Sequence, residues 1–136
     1  PAPYGAPISL TAAKKAMEAA EAEAKKNNWP VAIAIVDTTG SLAMLVKLDN
    51  TQTASVEIAQ GKALTALEFR RPTKALQDAI AGGGAGLRIL GLRNATPLEG
   101  GVPIIVDGKI VGAIGVSGVT SDQDAQVAIA GAAAAK

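Results

Sequence analysis

Small apolar residues recur at helical spacing early in the chain. Leu10, Ala13, Met17, Ala20 and Ala24 lie on one side of a run rich in Ala, Glu and Lys, which predicts a helix from Ser9 or Thr11 to Asn27. Asn27, Asn28 and Pro30 stop it. The period then changes to two. Val31, Ile33 and Ile35 alternate with Ala32 and Ala34, predicting a buried strand with one bulky face and one thin face on which a helix can lie close. Asp37 to Gly40 is a turn. Ser41 to Leu48 returns as a second strand, with Leu42, Met44, Val46 and Leu48 on one face, so the pair reads as an antiparallel hairpin.

A second helix is expected over Thr51 to Arg70, with Val56, Ala59, Ala63 and Leu67 on one stripe and Pro72 as its stop. A short third helix runs from about Thr73 to Ala81 and ends in Gly82-Gly-Gly84. Leu87 to Leu92 reads as a short strand or an irregular segment. The sharpest local signal is Asp107-Gly108 between two β-branched runs, the signature of a type I′ hairpin spanning Val102 to Val116. Gly112, Gly115 and Gly118 in its second strand imply a bulge, a bend or another backbone lying close, a subunit contact being one choice. Ser121-x-x-Asp124 resembles a capping box and opens a last helix to about Ala135. Residues 1–8, with three prolines, read as an extended arm. The result is one α+β domain over residues 1–136 with a largely antiparallel sheet.

Composition narrows the chemistry. Hydrophobic residues make up 49% but aromatics only 2%, so the core is built from Ala, Val, Ile and Leu. Each buries little area, which favours flat, well-matched surfaces and self-association. The formal net charge is +1 with both signs interspersed, and no basic stripe supports nucleic-acid binding. No apolar run is long enough to span a bilayer, so no membrane partner is expected. Cys and His both number 0. A disulfide framework, a thiolate nucleophile and a zinc cluster are excluded, and so are the commonest general acid/base and the commonest metal ligand. Proton transfer would fall to Asp, Glu, Lys, Tyr4 or the Pro1 amine. A tautomerase-like use of Pro1 is disfavoured, because Ala2-Pro3-Tyr4-Gly5 is an arm and not the start of a strand. The compartment stays open between cytoplasmic and exported, since a start at Pro1 fits either loss of an initiator Met or maturation of a precursor.

Four places carry candidate chemistry. Lys62, Arg70, Arg71 and Thr73 gather near the end of the second helix, where they could hold a carboxylate or phosphate, Arg by a two-pronged fork; a solvated face is the competing reading. Glu99-Gly100-Gly101 precedes a strand, and its glycines allow close approach of a ligand or simply a turn. Ser117, with Gly118, Thr120, Ser121 and Asp122, sits where a strand meets a helix start; an anion or the helix's own caps could occupy those N–H groups. Gly82 to Gly86 lacks the Lys-Ser/Thr that a phosphate loop needs, so it reads as a helix end and a loop.

Several of these pieces resemble one family. They are Ile35-Val-Asp-Thr-Thr-Gly40, Lys62-Ala-Leu-Thr-Ala66 followed by Phe69 and Pro72-Thr73, and Glu99-Gly-Gly-Val-Pro103 with Gly112-Ala-Ile-Gly-Val-Ser-Gly118. Together they resemble the GlcG/HbpS-like family, also called the haem-degrading domain, over about Ile8 to Ala132. The resemblance implies a profilin-like or roadblock-like sandwich, with an antiparallel sheet of about five strands packed by helices. It implies homo-oligomers, often octamers. Its relatives include haem-binding proteins, a domain fused to cobalamin adenosyltransferases and proteins encoded beside glycolate-utilisation genes. Relatives often carry a His after the Gly-Gly or Thr-Gly turn, where this chain has Ser41. Haem as a cofactor is weakened by the absence of His and Cys, which leaves Met17, Met44, Tyr4 or a Lys as axial ligands.

The expected function is therefore an oligomeric protein that binds a small organic acid or a haem-like compound, with Lys62, Arg71, Thr73, Glu99, Gly100, Gly101 and Ser117 as ligand-binding residues and no metal site. One alternative is a cofactor-independent enzyme for a hydroxy or oxo acid, with Lys62 or Glu99 as acid/base and Arg71 as anchor; it requires these three in one cleft. Another is a purely structural assembly module.

Overall fold

The computed structural model describes residues 1–136. In chain order it has α1 (Leu10–Lys26), β1 (Ala32–Asp37), β2 (Leu42–Lys47), α2 (Ala54–Phe69), α3 (Thr73–Ala81), a 3-10 segment (Gly84–Gly91), β3 (Gly101–Val106), β4 (Lys109–Ser117) and α4 (Ser121–Ala133). The fold is α+β, as expected. One antiparallel sheet has the order β2-β1-β4-β3, so the two hairpins meet at β1 and β4. The sheet has four strands where about five were expected.

Two local findings account for that difference. Leu87 to Gly91 falls in the 3-10 segment and Leu92 closes it, so no strand forms there; Gly83 and Gly84, where the segment begins, both take positive φ. The N-terminal arm, in turn, partly fills a fifth strand's place. β4 extends three residues, Lys109 to Val111, past the end of β1, and the arm pairs with that overhang. Gly5 N–H donates to the Ile110 carbonyl, Ile110 N–H to that of Pro3, and Ile8 N–H to that of Val111, each at 2.8 Å.

The period-two reading of β1 decides the layers. Val31, Ile33 and Ile35 face α1 and α4, packing with Ala13, Ala16, Met17, Ala20 and Val127. Ala32, Ala34 and Val36 face α2, packing with Ala59, Ala63, Ala66 and Leu67. The molecule is a three-layer sandwich with the sheet in the middle. In β2, Ile35 faces Met44 while Val36 faces Leu42, so Ala43 is an inserted bulge. That slip takes Leu42 out of phase. It is exposed, whereas Met44, Val46 and Leu48 pack on the core as read from the sequence.

The recurring glycines of β4 are explained within the chain. A Cβ at Gly115 would strike the Ala59 carbonyl and come within 2.5 Å of the Ala63 nitrogen. The backbone of α2 therefore lies directly on β4, and the close neighbour is this helix and not another subunit. The Asp107-Gly108 turn has φ of 51° and 76°, both positive as a type I′ turn demands. Helix α4 is capped one residue earlier than expected. Thr120, with Gln123 reaching back, forms the capping box, and this leaves Asp124 free to turn inward.

Candidate functional site

Lys62 is one of the most buried charged groups in the chain, at 2% exposure. It lies on α2, one face of the sheet, yet its ammonium reaches past the end of β4 to α4 on the other. Nζ donates to the Val116 carbonyl at 2.9 Å and to Asp124 Oδ2 at 3.0 Å. Asp124 Oδ1 also accepts the Val119 N–H at 3.1 Å. Burial pushes the Asp124 carboxyl above its ordinary range, and the Lys62 charge pulls it partly back. The Gly100-Gly101 pair is what lets this bridge form. A Cβ on Gly100 would sit 2.7 Å from Nζ, and one on Gly101 would strike the Lys62 carbonyl. Thr73 Oγ1, fully buried at the start of α3, accepts the Gly101 N–H at 2.9 Å. Four of the expected site residues thus converge, and their polar atoms are taken up inside the protein: Thr73 by Gly101, Lys62 by Val116 and Asp124, and the Gly100 carbonyl by the Val116 N–H.

Arg71 lies elsewhere. Arg70 before it adopts the left-handed conformation, φ 53°, and closes α2. Its guanidinium stacks 5.5 Å from the centre of the Tyr4 ring. The chain reverses there, and Arg71 emerges over a cavity of about 580 Å³ between the end of α2, α3 and the 3-10 segment. Arg71 Nε donates to the Phe69 carbonyl at 2.8 Å, which fixes the plane of the guanidinium and leaves its two terminal nitrogens for a ligand. Arg88 lines the same cavity, whose walls are Phe69, Leu76, Ile89 and Leu92. Two cations over apolar walls suit an anion with an apolar body. Other surface hollows differ in kind. The one beside Trp29 sets Lys25 and Lys47 against Asp49, and the one along α2 sets Glu57 and Glu68 against Arg93, with fewer apolar walls.

The remaining expected residues sit apart from this cavity. Glu99 is half-buried, with its N–H donated to Gln77 Oε1 at 2.8 Å. Ser117 is buried and donates to Ser55 Oγ at 3.0 Å. Lys62, Arg71 and Glu99 therefore do not share a cleft, and the geometry that the enzyme alternative requires is absent. Sequence reasoning missed Arg88 and the walls Ile89 and Leu92, because no local period marks a 3-10 segment. It also missed the pairing of Lys62 with Asp124, since Asp124 looked like a helix cap. The one available signal was a lone Lys on an otherwise apolar helical stripe.

The fit of haem can be judged from these side chains. Met17 is locked in the core and Met44 packs against it. The Tyr4 hydroxyl is engaged, donating to the Leu67 carbonyl at 2.7 Å. No side chain lining the arginine cavity is a strong axial ligand for iron. The cavity offers two cations and apolar walls but no side chain suited to hold a haem iron.

Comparison with known proteins agrees with this architecture. The family model described as haem degrading protein HbpS-like matches residues 8–133. Protein GlcG of Escherichia coli K12 is 44% identical over 110 residues, covering 81% of each chain. An uncharacterized 15.0 kDa protein from the dhaT-dhaS intergenic region of Citrobacter freundii is 38% identical over 121 residues, 88% of this chain and 85% of that one. Corrinoid adenosyltransferase PduO of Salmonella typhimurium is 30% identical over 112 residues, only 33% of its own length. Among solved structures, a double mutant of Streptomyces reticuli HbpS superposes with a TM-score of 0.86 at 33% identity, covering 95% of this chain and 87% of that one. A PduOC–haem complex superposes at 0.84 and 28% identity, covering 94% of each. The chain belongs to the HbpS-like family of haem-degrading proteins.

Proposed function

We propose that the chain is a self-associating binding protein for an apolar small molecule bearing one or two carboxylates, seated between α2, α3 and the 3-10 segment. The observation that carries this reading is the placement of Arg71 and Arg88 over the walls of Phe69, Leu76, Ile89 and Leu92. Haem is one member of that ligand class, a flat apolar ring with two propionates, and the similar PduOC fold in complex with haem supports it. Small organic acids are the other members. On this reading Arg71 and Arg88 contact the ligand, while Lys62, Thr73, Gly100 and Gly101 hold the α2–α3 junction behind them. Glu99 and Ser117 steady the two loops that flank β3 and β4. Self-association into a homo-oligomer, the octamer of the resemblance included, is supported by the exposed large apolar side chains Leu87 and Leu90 on the 3-10 segment and by exposed Leu98.

The test is titration of the chain with haemin followed by Soret absorbance, in parallel with octanoate followed by calorimetry. Saturable binding of at least one probe is expected, with about tenfold weakening in Arg71→Ala, the scale of a lost charge-assisted hydrogen bond. Silence with both probes at tens of micromolar protein would overturn the reading. So would unchanged binding in both Arg71→Ala and Arg88→Ala. Light scattering after size exclusion tests self-association, and a monomer would remove that part.

A further inference from the structure

We infer that Tyr4, in the N-terminal arm, is a positioning residue for the ligand-facing Arg71; the inference rests on the binding reading above. Helix α2 ends in an unusual way. An α-helix leaves its last four carbonyls without partners from its own turn. Here the next residues are Arg70, Arg71 and Pro72, and Pro72 has no N–H to give. Arg70 N–H and Arg71 N–H both go to the Ala66 carbonyl, the latter at 3.3 Å. Phe69 is served by Arg71 Nε at 2.8 Å. That leaves Leu67 and Glu68. The Tyr4 hydroxyl, 63 residues away in sequence, donates to the Leu67 carbonyl at 2.7 Å, with the Glu68 carbonyl 3.3 Å off.

Tyr4 also opposes the cost of the left-handed turn. A residue with a Cβ loses stability in that conformation, and Arg70 carries none of the small polar groups that offset it locally. Its guanidinium instead stacks on the Tyr4 ring at 5.5 Å. The turn at Arg70 is what sends Arg71 to the cavity. The arm makes a firm mount, because its three backbone hydrogen bonds go to β4 and not to α2. Gly5 seals the seat, since a Cβ there would lie 2.8 Å from the Lys109 Cβ. One side chain thus caps the helix and holds the turn that presents the anion-binding fork.

The full chain tests this through two readouts. The first is haemin affinity of Tyr4→Ala, Tyr4→Phe, Arg71→Ala and the doubles Tyr4→Ala/Arg71→Ala and Tyr4→Ala/Arg88→Ala. Tyr4→Ala should weaken binding about fivefold, and Tyr4→Phe, which keeps the ring, about twofold. The loss should vanish on the Arg71→Ala background and persist on Arg88→Ala; a general loosening of the fold would lower affinity equally on both. Wild-type affinity in Tyr4→Ala, alongside a weakened Arg71→Ala, would overturn the inference and leave the binding reading standing. The second readout needs no ligand. Solvent exchange of the Arg71 Nε–H, followed by NMR, should be slow in the wild type and accelerate in Tyr4→Ala while the amides of β1 stay protected. Unchanged exchange in that variant would overturn the inference even if haemin proved not to bind.

Discussion

The two faces of the sheet are packed by opposite rules. On the α1–α4 side, large residues fill the space: Val31, Ile33, Ile35 and Ile114 meet a helical surface made mostly of alanine. On the α2 side, Ala32, Ala34, Ala113 and Gly115 bring helix backbone onto strand backbone. The first face is apolar throughout its centre, and only Asp124 turns a charge in at its edge. The second carries buried polar side chains, among them Ser55, Lys62, Thr65 and Thr73. Close backbone approach leaves little room for long side chains, so hydrogen bonds and one ion pair supplement the apolar contacts there. The second face is also the one that ends in the arginine cavity. Directional contacts specify position and orientation, which binding geometry demands and apolar contact alone specifies less sharply.

That contrast can be broken at its centre. Lys62→Met should cost about 3–5 kcal/mol in denaturant unfolding at neutral pH, because it strands the buried Asp124 carboxylate. The sign with pH follows from the raised Asp124 value. A neutral carboxyl needs no counter-ion, so the loss should shrink as pH falls through that raised range and grow above it. The double variant Lys62→Met/Asp124→Leu should recover most of the stability. A single variant as stable as wild type at neutral pH would show that the second face does not depend on its ion pair.

Neighbouring positions on β1 sharpen the comparison. Ala34→Val adds bulk beneath α2, where both residue and helix backbone are fully packed, and should cost about 1–3 kcal/mol through overpacking. Ile33→Val removes one methylene from the other face and should cost about 0.5–1.5 kcal/mol. Chemical denaturation of the two variants checks the order. A larger loss from Ile33→Val than from Ala34→Val would contradict the division between a filled face and a tight one.

The smallest effect is expected outside both layers. The Asp37 carboxylate accepts bonds from the Thr39 side chain and from the Thr39 and Ser41 N–H groups, which hold it below its ordinary range. A lowered acid stabilises the fold above its unfolded pKa and loses that contribution as pH falls through the folded value. Asp37→Asn should therefore melt slightly below wild type at pH 7, with the gap closing toward pH 3. A constant gap across that range would mean that the charge plays no part in the turn.

Much of this fold is legible along the chain. The alternation of Val31, Ile33 and Ile35 with Ala32 and Ala34 assigned each to its layer before any coordinates. Asp107-Gly108 fixed the second hairpin, and Pro72 the end of α2. What misled was equally particular. Leu42 had the right parity for the core face, but the bulge at Ala43 is a strand-pairing event that parity cannot show. The proline-rich arm looked loose because the β4 overhang that receives it lies about a hundred residues away. Asp124 had the spacing of a capping residue, and only the helix start at Ser121 frees it.

The sequence by itself determined the two apolar faces of β1 and the alanine stripes of α1 and α2, where chain direction reverses and which chemistries are ruled out by the lack of His and Cys. These follow from short-range periodicity, backbone conformation and side-chain inventory. Tertiary structure alone decided that Lys62 meets Asp124, that Tyr4 caps α2, and that Arg71 and Arg88 face one cavity. Those pairings join residues 17 to 63 apart. Nothing local sets such distances; they exist only once the helices are docked on the sheet and the entropy of closing those loops has been overcome.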